Sequence, residues 1–160
     1  MKRLIVFATV FALSLVASGL LLAQSNPQVG TWKLNLAKSK FSPGTAPKSL
    51  TRTVEAQGQG VRITQEGVAA NGSRIAFSYV TNFDGKDAPI SGGGYANGAD
   101  NIAVKRVSAN TTTSTATKAG KMVQAVRIVI SKDGKVMTGT TKGTNAQGQP
   151  TSATLVWDKQ

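Results

Sequence analysis

Two amino acids are missing altogether from this chain of 160 residues, which contains no cysteine and no histidine. Without histidine the chain lacks the usual general base at neutral pH, the Ser-His and Cys-His nucleophile pairs and the commonest zinc ligand. Without cysteine it forms no disulfide bond, so its fold must be stabilised by packing and strand pairing. The sequence therefore predicts no catalytic residue, no metal site and no cofactor.

Carboxylates are also scarce, with seven acidic residues against nineteen basic ones. Asp84 and Asp87 are the one close pair in the sequence, and they flank Gly85-Lys86 in a predicted hairpin. A glycosidase needs two carboxylates that face one bond, whereas an aspartate in a turn commonly binds its own backbone. We interpret Asp84 and Asp133 as turn residues and predict that the protein is not an enzyme.

One long apolar run, residues 4–22, follows two basic residues at the N-terminus and ends at the small residue Ala23. This order, with polar Gln24 next, is typical of a secretory signal peptide. The alternative is a retained membrane anchor, since the run is nearly long enough to span a bilayer. We predict a signal peptide over 1–23, cleavage near Ala23–Gln24, and one secreted or periplasmic domain over 24–160 with no further transmembrane segment.

Loss of the leader would remove two basic residues and lower the net charge from +12 to +10. A balance this basic favours anionic partners such as acidic envelope polymers, phospholipid headgroups or nucleic acid. The basic residues are scattered singly, however, and no run of five or six marks a nucleic-acid-binding arm. Nucleic acid is therefore not predicted as a partner.

After the leader, apolar and polar residues alternate in segments separated by glycine-containing turns such as Asn71-Gly72 and Asp84-Gly85. Alternation and regularly spaced turns indicate β-strands. The predicted strands lie near 29–36, 49–57, 61–68, 73–82, 86–90, 101–108, 111–118, 121–131, 135–142 and 151–158. Short loops make neighbouring strands antiparallel. We predict an all-β fold, an up-and-down antiparallel barrel of about eight to ten strands, with a sandwich as the alternative.

The alternation also assigns a set of inward-facing residues. That set comprises Trp32, Leu34, Leu36, Val61, Ile63, Ile75, Phe77, Tyr79, Ile102, Val104, Val126, Ile128, Ile130, Leu155 and Trp157. Three polar residues, Arg52, Gln65 and Arg106, fall on the same faces as apolar neighbours. A solid core rarely accepts unpaired arginines, so either these strand ends reach solvent or the barrel encloses a wet cavity.

Two stretches interrupt the alternation. Residues 37–48 contain two prolines and predict an irregular loop. Residues 91–100 are rich in glycine, and they predict either a mobile rim over a barrel mouth or a flexible hairpin loop.

The segment Gly30-Thr31-Trp32-Lys33-Leu34 resembles the Gly-x-Trp opening of the calycins, especially fatty-acid-binding proteins and bacterial lipocalin-like domains. Residues 153–159 resemble the closing strand of the fatty-acid-binding proteins. The resemblance implies an up-and-down barrel with an internal ligand cavity. Two departures count against fatty-acid binding. The family holds the ligand carboxylate with an Arg-x-Tyr pair on the last strand, where this chain has Leu155 and Trp157, and residues 37–48 are too few for the family's helical lid. With its leader, the chain is more similar to small secreted bacterial proteins with a lipocalin-like fold.

Two functional hypotheses follow from these features. The first is a secreted binding protein that holds a small apolar or amphiphilic ligand inside the barrel, with Arg52 or Arg106 as a polar anchor. The predicted ligand-binding residues are Arg52, Gln65, Phe77, Tyr79, Arg106 and Trp157. The second is a structural or interaction protein that binds anionic cell-envelope polymers through its basic surface. An outer-membrane barrel is not favoured, because the predicted outward faces carry polar residues such as Lys33, Thr112 and Ser114 rather than an apolar band.

Overall fold

Alternating side chains and short turns produce twelve β-strands and one 3-10 turn in residues 26–160, the part of the chain that the computed structural model describes. The strands are β1 (Gly30–Leu34), β2 (Lys40–Ser42), β3 (Ser49–Gln57), β4 (Gly60–Val68), β5 (Arg74–Thr81), β6 (Asp84–Pro89), β7 (Ser91–Gly93), β8 (Asn101–Ser108), β9 (Thr111–Lys118), β10 (Lys121–Ile130), β11 (Val136–Thr144) and β12 (Pro150–Lys159). The predicted signal peptide and its cleavage site lie outside the described residues. Within residues 26–160, no helix is long and apolar enough to cross a bilayer.

All twelve strands belong to one antiparallel sheet, in the order β6-β8-β9-β10-β11-β12-β1-β3-β4-β5-β7, with β2 paired to β12. The sheet nearly closes into a barrel through β6 and β7, which are consecutive in the chain and separated by Ile90. Strand β6 pairs with β8 on one side, and β7 pairs with β5 on the other. The predicted up-and-down barrel is therefore confirmed. It has more strands than predicted because β7 forms within the predicted glycine-rich stretch 91–100 and because β2 forms within the predicted loop 37–48.

Trp32 closes one end of the barrel, and it is buried, as its place in the inward-facing set predicted. Its side chain is fully buried, and its indole Nε1 donates a hydrogen bond to the backbone oxygen of Gln28 at 2.8 Å. Gln28 is itself buried, and its Nε2 donates to the hydroxyl of Thr112 at 3.1 Å. The ammonium of Lys159 lies 5.1 Å from the centre of the indole ring. This end of the barrel is thus filled by one aromatic side chain whose polar atom is satisfied.

Most of the predicted inward-facing residues are buried, for example Ile63 and Ile102, each 1% exposed. Leu36 was predicted wrongly, since it is 40% exposed. Strand β1 ends at Leu34, and the chain then turns around Asn35, whose side-chain oxygen accepts from the Lys38 N–H at 3.1 Å. Alternation therefore stops two residues before Leu36.

Thr112 was also predicted wrongly, because it is buried rather than outward-facing. On β9 it lies directly opposite Arg106 of β8 and Ile128 of β10, and Ser114 lies opposite Val104 and Val126. Both residues therefore share the inward face. In a run of consecutive threonines and serines, both faces of the strand carry similar side chains. The sequence of this strand therefore does not show which residues face inward.

The predicted turn at Asp84-Gly85 lies earlier in the structure. Phe83 takes the left-handed backbone conformation at φ 60°, and its N–H is bound by the Thr81 hydroxyl at 3.1 Å. Asp84 and Gly85 instead begin β6, where the register shifts between Asp84 and Asp87 as in a β-bulge. The Phe83 ring is buried beside this turn. Asp84 still binds local backbone, as expected of a turn aspartate, since its Oδ1 accepts from the Lys86 N–H at 3.1 Å.

Candidate functional site

The barrel encloses a cavity of about 250 Å³, whose lining runs from Arg52 to residues 94–96 of the glycine-rich stretch. Arg52 lies directly opposite Trp32 in the pairing of β1 with β3. The cavity walls are mostly apolar, and they come from β3, β4 and β5 on one side and from β10, β11 and β12 on the other. The lining side chains include Leu50, Ile75, Phe77, Val126, Ile128, Met137, Leu155 and Trp157. A few polar residues converge on the same space, namely Arg52, Gln65, Gln124 and Thr141. An apolar cavity with a small number of polar groups is typical of a small-molecule site.

Strand register brings the polar groups of one wall together. Arg52 on β3 lies opposite Gln65 on β4, which lies opposite Phe77 on β5, so the three share one inward row. Tyr79 is two residues further along β5 and points to the same face. The guanidinium of Arg52 donates from Nη1 to Oε1 of Gln65 at 3.4 Å and from Nη2 to the Tyr79 hydroxyl at 3.2 Å.

Arg52 is buried, with 8% of its surface exposed, and its Nε has no hydrogen-bond partner among residues 26–160. The chain's seven acidic residues all lie in this range, and none of them lines the cavity or forms an ion pair with Arg52. Burying a cation without a counter-charge is costly, so such residues usually mark a function. The same part of the chain holds no group of three or more Asp, Glu, His or Cys suited to a metal ion.

The opposite wall owes part of its free space to Gly139 on β11. A β-carbon built at this position would lie 3.8 Å from the Leu155 Cβ and 3.9 Å from the Ile128 Cγ1, which are ordinary contact distances. Gly139 also lacks the positive φ that would exclude a larger residue. The absence of a side chain here widens the cavity rather than relieving backbone strain.

The predicted glycine-rich stretch lies at the mouth of the cavity, and its residue Tyr95 lines the cavity there. Its strand β7 pairs with β5, and Gly94 approaches so closely that a β-carbon would lie 2.9 Å from the Ile75 Cα. The Tyr95 ring then packs edge-on against Phe77, with 4.8 Å between ring centres. Burial raises the pKa of Tyr95 above its usual range; the Tyr79 phenol adds to this rise and the Arg52 charge opposes it. Tyr95 therefore stays neutral at physiological pH while it covers part of the mouth.

The structure separates the six predicted site residues into two groups. Arg52, Gln65, Phe77 and Trp157 line the cavity, and Tyr79 lies beside them, bound to Arg52. Arg106 lies at the other end, where it is exposed and its Cζ is 4.3 Å from the centre of the Phe83 ring. It lines a separate polar surface pocket of about 460 Å³ together with Asn110 and Lys132. Alternation did not indicate Tyr95, because that residue reaches the cavity from a loop.

Asp100 fixes the far end of the glycine-rich stretch. Its carboxylate accepts from the Ala119 N–H at 2.8 Å, in the turn between β9 and β10, and from the Asn101 side chain at 3.0 Å. These bonds, with the Ala119 N–H as the largest cause, lower the pKa of Asp100 from its usual value. A carboxylate whose pKa is lower in the folded state stabilises that state above its unfolded pKa of about 3.9. The stabilisation is lost as the pH falls through the lowered folded-state value.

We expect acid to loosen this loop in the native protein and to have less effect in Asp100→Ala. At pH 7 the variant should lose hydrogen-exchange protection at the Ala119 amide, because its acceptor is gone. Urea unfolding from pH 7 to pH 2.5 should then show a shallower decline for the variant than for the native chain. Asp133→Ala is the matched control, since a Ser131 hydroxyl bond lowers the pKa of that carboxylate in a different turn. Equal pH slopes for Asp100→Ala and the native chain would contradict the assignment.

Comparisons with known proteins support the fold. No protein-family model matches the chain, and no curated protein matches it. Eleven chains of solved structures do match. One is the zebrafish ileal bile acid-binding protein complexed with cholic acid, with a TM-score of 0.51 and 14% identity over 84% of this chain and 99% of that chain. Likeness at this identity shows the fold alone. It confirms the calycin-like barrel that the Gly-x-Trp segment indicated.

Proposed function

We propose that this protein is a secreted, non-enzymatic binding protein that holds a small apolar or amphiphilic molecule inside its barrel. The observation that carries this proposal is the mainly apolar cavity of about 250 Å³ behind Tyr95. Cavities for drug-sized ligands measure about 300–1,000 Å³. A ligand of this protein is therefore small, or it projects through the mouth. The solved bile acid-binding protein is a complex with an amphiphile, which agrees with this use of the barrel.

Binding can be tested without knowing the natural ligand. Trp157 lines the cavity, so an occupant should change its fluorescence, and Trp157→Phe should remove that change. We expect native mass spectrometry of the protein purified from its own cells to show a bound small molecule. We also expect the eight-carbon compounds octanol and octanoate, used as probes, to bind reversibly in a fluorescence titration. A chain that carries no additional mass and binds none of these probes would contradict the proposal.

The secreted location is part of the proposal, and it is supported by the leader pattern of residues 1–23. Cell fractionation and N-terminal sequencing would test it directly. We expect the mature chain to begin at or near Gln24 and to be found outside the cytoplasm. Recovery of the full-length chain from the membrane fraction would instead favour the retained anchor.

A second candidate function is binding of an anionic cell-envelope polymer, and the distribution of charge favours it. Residues 101–157 contain eight basic residues and a single acidic one, Asp133. We define the basic face as the outward side chains of Lys40, Lys105, Arg127 and Lys142. Lys105, Arg127 and Lys40 lie in one cross-strand row, separated by threonines such as Thr113 and Thr140. A shallow groove of about 410 Å³ runs between Arg127 and Lys142.

We expect the double variant Arg127→Ser with Lys142→Ser to elute from immobilised heparin, used as a model polyanion, at lower salt than the native chain. Affinity of the native chain should fall by about tenfold between 50 and 200 mM salt, because exposed charges are screened. The matched control is Arg74→Ser with Lys86→Ser, which removes the same charge from residues that pair with Glu66 and Asp84. If both double variants eluted at equally lowered salt, or if retention of the native chain did not depend on salt concentration, the basic face would not be the binding surface.

A further inference from the structure

We infer that the molecule bound in the cavity carries a carboxylate, which is held by Arg52 on the β3–β4–β5 wall. This inference rests on the proposed function, since it specifies the ligand of that same cavity. It begins from the guanidinium, which is buried in a site with no acidic side chain.

The hydrogen bonds of Arg52 leave most of its capacity unused. A guanidinium has five N–H donors in a planar fork. Within residues 26–160 Arg52 makes two hydrogen bonds, both longer than 3.1 Å and both to neutral groups, and its Nε makes none. Gln65 and Tyr79 therefore orient the fork without neutralising it. A carboxylate matches the remaining donors in number, geometry and charge.

The position of Arg52 also gives the ligand a direction. Its row lies one step further from the mouth than the row of Leu50 and Ile75, and Arg52 is directly opposite Trp32 in the pairing of β1 with β3. A carboxylate on Arg52 therefore sits deep, and an apolar tail attached to it runs towards the mouth along Leu155 and Ile128. Such a tail replaces water on apolar walls, which favours binding.

The size of the cavity selects a short tail. A volume of about 250 Å³ corresponds to roughly eight water molecules at the liquid volume of about 30 Å³ each. An amphiphile of about ten non-hydrogen atoms fits this space, whereas a longer one would extend past Tyr95. Octanoate, octanol and octylammonium form a suitable probe series, because they share a chain and differ in the charge of the headgroup.

We expect the native protein to bind octanoate about ten- to a hundredfold more tightly than octanol, which is the usual gain from hydrogen bonds to a charged group. Octylammonium should bind more weakly than octanol, because its charge repels the guanidinium. In Arg52→Met the preference for octanoate should disappear, while the affinity for octanol should stay within about threefold. Calorimetry or Trp157 fluorescence would measure all three affinities.

The matched control is Arg106→Met, which makes the same change at the exposed end and should leave the ranking of the probes intact. The ligand-free Arg52→Met protein should melt no lower than the native one, because an apolar chain of similar length replaces an unpaired buried charge. If that variant fails to fold, the ranking on the native chain still decides the question. Equal affinities for octanoate and octanol would overturn the carboxylate site and leave the proposed function standing. Binding of none of the three probes, together with no bound molecule in the native mass spectrum, would overturn both.

Discussion

Replacing Trp32 with alanine should reduce the free energy of unfolding by about 3–5 kcal/mol, the usual cost of deleting a large buried aromatic ring. The indole is fully buried, and it joins the core where β1 meets β3 and β12. Its removal leaves a void at the closed end and an unsatisfied backbone oxygen on Gln28. Domains are stable by only about 5–15 kcal/mol, so the variant should be close to unfolding at 37 °C.

Urea unfolding, followed by circular dichroism, would measure this loss. Trp32→Phe should lose less, because an aromatic ring still fills part of the space although the hydrogen bond to Gln28 is gone. Leu36→Ala is the matched control from the same segment, and we expect a change of no more than about 0.5 kcal/mol, as for other surface positions. If the free energy of unfolding fell as much in Leu36→Ala as in Trp32→Ala, the end of β1, rather than the buried indole, would be what stabilises the barrel.

Filling the cavity from Gly139 should abolish ligand binding in a protein that remains folded. Gly139→Leu places a branched side chain against Ile128 and Leu155, in the space that an occupant would use. We expect the affinity for octanol and octanoate to fall by at least about tenfold, because the new side chain occupies the volume that a ligand would fill. Circular dichroism should show the β-sheet of the native protein unchanged.

Gly139→Ala separates the effect of volume from the effect on the backbone. The added methyl group meets no close contact, so this variant should be more stable than the native chain by about 0.4–1 kcal/mol. The control is Gly143→Ala on the same strand, where the new β-carbon would clash with the Val123 backbone oxygen and should destabilise the protein. Undiminished binding by a folded Gly139→Leu variant would place the ligand outside the barrel.

From the sequence, the site was predicted only as far as alternation along a strand shows which side chains face inward. We call this inward or outward assignment the parity of a residue. Arg52 and Gln65 were assigned inward because they alternate with apolar neighbours, and both line the cavity. Arg106 has the same parity on β8, opposite Thr112, yet its side chain lies on Phe83 at the exposed end. Parity assigns the face of a strand, but the height along the barrel depends on how far each strand is displaced against its neighbours.

Tyr95 shows a second limit of the sequence. A residue in a glycine-rich stretch has no alternation to place it, and its position over Phe77 depends on the close approach of Gly94 to Ile75. The strand β2 was missed for a related reason. It is three residues long, and its pairing with Ser152, Ala153 and Thr154 is decided by a partner more than a hundred residues away.

By itself the sequence determined that this chain is all β, that its strands pair in an up-and-down order, and that Trp32 is buried. These features follow from the two-residue period of side chains along a strand and from short turns, both of which act locally. Tertiary structure alone decided which arginine is buried, how large the cavity is and that Tyr95 covers it. Those features depend on strand displacement and on contacts between distant segments, and no local pattern contains that information.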